Sequence, residues 1–153
     1  MIDSELEEVS PPWNRMAITL LALIGTFISL YLTLHKLGIV GSLLCGTGSC
    51  DLVQASKWSV FMGVPVPFLG LAGYALLTGL GIASLQPRNI DSRPIAIALI
   101  LVGLGAFAFS VYLSALEHYV IHAWCRWCIA SAVIATLIFF CTFPEYRQLR
   151  RAA

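Results

Sequence analysis

Cysteine is the residue type in this chain with the most chemistry to offer, and four of its five cysteines form two close pairs, Cys45 with Cys50 and Cys125 with Cys128. Paired thiols that open and close disulfides pass two electrons at a time from one pair to the next. Cys125-Arg126-Trp127-Cys128 is a C-x-x-C at the start of an apolar run. If that run is a helix, its unpaired N–H groups and dipole favour a thiolate on Cys125, and Arg126 adds a positive charge. Cys45-Gly46-Thr47-Gly48-Ser49-Cys50 is a glycine- and serine-rich loop, flexible enough to close a small disulfide ring and to swing between partners. Two blander readings compete: a static disulfide pinning a loop, and four thiolates holding a structural zinc. Zinc staples small soluble domains, whereas this chain has apolar spans to hold it, so no metal is expected.

The elements that must position these thiols are membrane spans. The chain has 153 residues, 59% hydrophobic and 11% charged, with a mean hydropathy of +0.87. A soluble domain carries about a quarter charged residues. Four uncharged stretches are long enough to cross a bilayer: Met16–Leu34, Val64–Leu85, Pro94–Leu116 and Trp127–Phe143, the last of them short beside the roughly 20 residues a span needs. Recurrent glycines (Gly70 and Gly73, Gly79 and Gly81, Gly103 and Gly105) read as close helix packing. The expected fold is therefore all-α and integral to the membrane, a four-helix bundle. Residues 1–15 form a tail, 16–143 the bundle and 144–153 a basic tail. The acidic first residues read as a disordered tail and lack the basic region of a secretory signal.

Four spans put both tails and the Gln86–Arg93 turn on one side. That side holds Arg15, Arg88, Arg93, Arg147, Arg150 and Arg151, against Lys36, Lys57 and Arg126 on the other. Six against three places both termini in the cytoplasm by the excess of basic residues there. Both cysteine pairs then share the outer surface, where disulfides persist. Cys141 follows Cys128 by thirteen residues on one helix, roughly 20 Å deeper. It is expected as a buried small apolar residue outside their chemistry. After Cys50, Asp51 can cap a short helix reaching Trp58. With Leu52, Val53, Ala55 and Val60 apolar, that helix suits the interface and could form a lid over an apolar pocket for a planar lipid-soluble ligand. His118 and His122, beside Glu117, are candidates for proton transfer, though polar residues ending a span are the commoner case.

In these residues the chain resembles the vitamin K epoxide reductase family in its bacterial, quinone-dependent form. The features are Cys45 and Cys50, Ser56-Lys57-Trp58, Gly63-Val64-Pro65, Leu69-Gly70, Tyr74 and the Cys125-x-x-Cys128 that opens the last span. The likeness covers roughly residues 16–143. It implies a four-helix bundle around a quinone of menaquinone, ubiquinone or phylloquinone type, capped by the outer loop and its short interfacial helix. It further implies that Cys128 faces the quinone, that Cys125 exchanges with Cys50, and that Cys45 and Cys50 take electrons from a thioredoxin-fold protein. Ser56 and Trp58 would border the quinone. The setting implied is a bacterial cytoplasmic membrane, with lipid as surroundings and no nucleic acid as partner. Many bacterial relatives carry a fused thioredoxin-like domain; here a separate protein would supply it. Val66 and Ala132 stand where the animal enzymes have an asparagine and a tyrosine, which weighs against vitamin K epoxide itself as the main substrate. The rival readings are a scaffold with static disulfides and a relay running electrons outward.

Overall fold

The computed structural model describes residues 13–43 and 50–152. Helix α1 (Trp13–Lys36) is followed by the short α2 (Cys50–Ala55), a 3-10 turn (Lys57–Ser59) and a hairpin of two-residue strands, β1 (Val60–Phe61) and β2 (Val64–Pro65). Then come α3 (Val66–Leu85), α4 (Arg93–Leu116), a π-helical turn (Glu117–Ile121), α5 (Arg126–Cys141) and α6 (Phe143–Ala152). Among the described residues, four helical segments are long and apolar enough to cross a membrane. They include the expected short last span, which α6 extends to Arg151.

Several boundaries differ from the expected ones. The helix begins at Trp13, so Trp13–Arg15 belong to the first turn of α1 rather than to a disordered tail. Residues after Phe143 are helical, not merely a basic extension. The short helix starts at Cys50 and ends at Ala55, so Asp51 lies in its first turn instead of capping it, and Trp58 falls in the 3-10 turn. The hairpin is the one departure from an all-helical chain among the described residues. Its two-residue turn, Met62-Gly63, has positive φ at both positions (50° and 83°), the backbone twist that joins tight antiparallel strands.

Helix α1 packs mainly against α3 and α5, and α4 packs against α3 and α5. The core combines Ile18 and Ala22 of α1, Tyr74 and Leu77 of α3, Leu99 of α4, and Ile134 and Ile138 of α5. Many outward positions are equally apolar, among them Leu20, Phe27, Leu76, Leu101 and Phe140. A belt of that kind faces lipid. A second cluster gathers Leu32, Leu43, Cys50, Val53, Ala123 and Cys125.

The bundle has two distinct ends. At one, the Arg15 guanidinium pairs with Glu145 at 2.8 Å and donates to the carbonyls of Ser84 and Ile90. That joins the start of α1, the end of α3, the α3–α4 turn and α6. At the other end, Lys36 Nζ donates to the Gln54 carbonyl at 2.7 Å and to the Ser59 hydroxyl at 2.8 Å, fixing the segment after Cys50 onto α1. Phe61 packs edge-on against Phe109 and Tyr112, which holds the hairpin to α4.

Candidate active site

Cys125 caps α5: its sulfur accepts the Cys128 backbone N–H at 3.4 Å. Both thiols are free, Cys125 fully buried and Cys128 half-buried. The Cys125 thiol is held below its ordinary range, first by a hydrogen bond from the Cys128 side chain. The N–H groups of Cys128 and Trp127 add to this, against burial and the Glu117 charge. The backbone N–H groups at the start of α5 thus contribute behind the Cys128 side chain. Cys50 is disulfide-bonded and packs in the same cluster as Cys125. Cys45 lies outside the described residues. Cys141 is half-buried against the core, not fully buried, and is free.

A cavity of about 340 Å³ opens against Cys128 between α1, α3, α4 and α5. Glycines create much of the space: Gly73 and Gly105 line it with nothing within 4 Å of where a Cβ would stand. Gly81 and Gly103 instead abut Thr19 and Thr142, as close helix packing requires. The wall is fixed by Tyr74, whose hydroxyl donates to the Ser131 carbonyl at 2.6 Å. Its ring lies against Gly25, a contact that no larger residue would allow.

The polar end of the cavity consists of Cys128, Gln54 and Glu117. Gln54, 5% exposed, donates from Nε2 to the Cys128 sulfur at 3.6 Å, while its Oε1 is buried and has no partner. Glu117, also 5% exposed, accepts the Cys125 backbone N–H on Oε2 at 3.2 Å and hydrogen-bonds the Cys128 side chain. It opens the π-helical turn, which ends at His122 in the left-handed region (φ 54°). Such turns are uncommon and concentrate at functional sites. Here the turn folds the chain back so that Cys125 meets a carboxylate eight residues earlier.

Ser56 and Trp58 border a smaller adjoining cavity of about 30 Å³ rather than the large one. Ser56 donates its hydroxyl to the Val53 carbonyl at 2.7 Å, and the Lys57 ammonium sits 5.2 Å from the Trp58 ring centre. Glu117, Gln54 and Cys128 line both cavities. His118 and His122 are exposed, with His118 against Tyr119 and Trp124, and neither lines a cavity that Cys128 lines. Sequence position draws attention to those histidines and not to Glu117 or Gln54. A carboxylate at the membrane end of an otherwise uncharged run was the available signal, because ionisable groups at such depth are rarely idle.

A sequence-family model, described as the Vitamin K epoxide reductase family, matches residues 16–143. The chain belongs to that family. Its four apolar helices and that membership make it a multi-pass membrane oxidoreductase of the quinone/disulfide class. Vitamin K epoxide reductase family proteins use quinones in general. In this member Val66 and Ala132 both line the large cavity. Its wall is apolar at both.

Proposed function

We propose that the protein makes disulfides, passing electrons from a reduced thioredoxin-fold protein to a membrane quinone through its two cysteine pairs. The observation that carries this reading is a free thiol, Cys128, at the polar end of an apolar cavity of about 340 Å³. That volume and lining are ordinary for a small-molecule site. A quinone ring, flat and apolar with an oxygen at each end, fits such a cavity, with Gln54 and Glu117 as the polar groups near Cys128. When bound, the quinone supplies an acceptor for two electrons and two protons.

The chain's own residues do the rest. One thiolate of the donor protein attacks Cys45 and frees Cys50, the donor's second thiol closes the donor's own disulfide and frees Cys45, and Cys50 attacks Cys125 of the oxidised C-x-x-C. Cys128 leaves as a thiol group facing the cavity. Cys50 then closes again with Cys45, leaving Cys125 and Cys128 reduced, and Cys128 gives up electrons as the Cys125–Cys128 bond reforms. A disulfide at Cys50 beside free Cys125 and Cys128 matches the step before electrons leave. The lowered Cys125 thiol suits the exchange, since the thiolate with lower pKa leaves more readily. Burial of Cys50 and Cys125 in one cluster supports their meeting, and the bonds from Lys36 keep the intervening segment in place. The proposal sets both termini in the cytoplasm of a bacterial cell and the cysteine pairs on the outer face, where quinone-linked oxidation maintains disulfides. Ser56 and Trp58 would shape the smaller cavity at its rim.

Quinone reduction by purified protein tests this, with a reduced thioredoxin-fold donor or a small dithiol. Wild type should turn over with both and Cys128→Ser with neither. Cys45→Ser should fail with the protein donor yet work with the dithiol. A wild type that reduces no quinone from either donor would leave the scaffold with static disulfides as the better account.

A further inference from the structure

Forming a disulfide from two thiols releases two protons along with two electrons, and a quinone takes up two of each. The electrons have a path through Cys128, so the protons need one too. Among the described residues lining the large cavity, the ionisable side chains are Tyr74, Glu117 and Cys128. Tyr74 has its hydroxyl proton committed to Ser131. Glu117 is buried, touches both cysteines of the C-x-x-C, and lines the cavity beside Cys128. A carboxylate buried this fully at the end of a membrane span is costly to keep without a function.

Building on the quinone reading above, we propose that Glu117 is the catalytic proton carrier, moving protons from the thiols to the acceptor's oxygen. Its carboxylate takes the proton of the Cys128 sulfur and releases it into the cavity, and the returned carboxylate then takes the Cys125 proton, passed on through the hydrogen bond between the two sulfurs. Two passes balance the closure of Cys125–Cys128: two electrons leave the sulfurs, two protons leave through Glu117, and one S–S bond forms. The groups facing Glu117 are compatible with this. Cys125 and Cys128 are its titratable neighbours from the loop and α5, Gln54 faces it as a neutral amide from α2, and the Lys36 ammonium is engaged by the Gln54 carbonyl and Ser59. The orphaned Gln54 Oε1 lies at the same polar end, free to accept an O–H there.

Glu117→Gln separates this role from a structural one, because its amide oxygen still accepts the Cys125 N–H that helps shape the end of α5. Pre-reduced protein is mixed with excess ubiquinone, and closure of Cys125–Cys128 is followed in a single turnover across pH. Two further readouts need no turnover: ubiquinone affinity by tryptophan quenching, and reduction of the C-x-x-C disulfide by a small dithiol without quinone. The expected result is closure slowed by about a hundredfold, the scale of general acid–base catalysis. The carboxyl's contribution to the pH profile should vanish, with affinity falling far less than closure does and dithiol reduction unchanged. Closure at the wild-type rate and pH profile would overturn the proposal while leaving the quinone reading intact. Equal loss in closure, affinity and dithiol reduction would also overturn it, assigning Glu117 to holding the loop. A wild type that closes with no quinone at all overturns both.

Discussion

Around Cys125 and Cys128, small geometric facts decide which sulfur attacks, which leaves and which faces the acceptor. Cys125 caps a helix and receives hydrogen bonds from Cys128's side chain and from backbone N–H groups, so its thiolate is favoured. Cys128 lines the cavity and its sulfur accepts from Gln54 Nε2. Because Cys125 releases its proton more readily in the folded chain than unfolded, its own contribution to the stability of the reduced protein grows as pH rises. That gain is complete above the ordinary thiol value of about 8.5 and is lost as pH falls through the lowered one. The largest cause is the Cys128 side chain, so Cys128→Ala should move Cys125's titration back up, read as ultraviolet thiolate absorbance of the reduced protein against pH. A midpoint unmoved by Cys128→Ala would show that the helix end alone sets it. The sequence identified these two residues because C-x-x-C is a local pattern with a local cause. Gln54 and Glu117 were missed because what makes them notable is burial against the same sulfur from different elements, and spacing carries no trace of that.

The helices differ in how completely their sequence announces them. Spans are legible from uncharged runs, because each must satisfy its backbone internally and show lipid an apolar face. The features that make a cavity are harder to read. Gly73 and Gly105 look like their neighbours Gly70 and Gly103 in sequence, yet the first two leave space while the other two lie against Ser29 and Thr142. Which glycine packs and which stays open depends on the rotation of α3 and α4 about their axes, and uniformly apolar helices do not encode that rotation in their pattern. The π turn at Glu117–Ile121 is similarly invisible, since it needs only one extra residue in a helical run. Gly105→Leu should therefore fill the cavity without disturbing helix packing. Quinone affinity should fall by at least about tenfold, the lower end of what one misplaced methylene costs a pocket, while thermal stability in detergent holds. Unchanged affinity would mean that the acceptor binds elsewhere.

Across the whole molecule, the two ends are held by opposite means. The end bearing the cysteines is stitched by hydrogen bonds from Lys36 and by aromatic contacts to a small hairpin, which hold the segment after Cys50 in place. The other end is locked by a charged pair with almost no access to water, Arg15 at 5% and Glu145 at 2% exposure. Arg15 counted in the sequence as one more positive charge on the cytoplasmic face. In the fold its charge is matched by Glu145. Burying both ions removes their hydration, so the pair is worth little beyond a packed apolar substitute, while either ion alone is worth much less than that. Arg15→Leu should accordingly cost about 3–5 kcal/mol by stranding a buried carboxylate. The double change Arg15→Leu with Glu145→Leu should recover most of that loss in thermal unfolding in detergent. If the double variant proved as unstable as the single, the guanidinium's bonds to the Ser84 and Ile90 carbonyls would be what holds this end together. Quinone reduction should persist in the double variant, because the pair and the cysteines occupy opposite ends of the bundle.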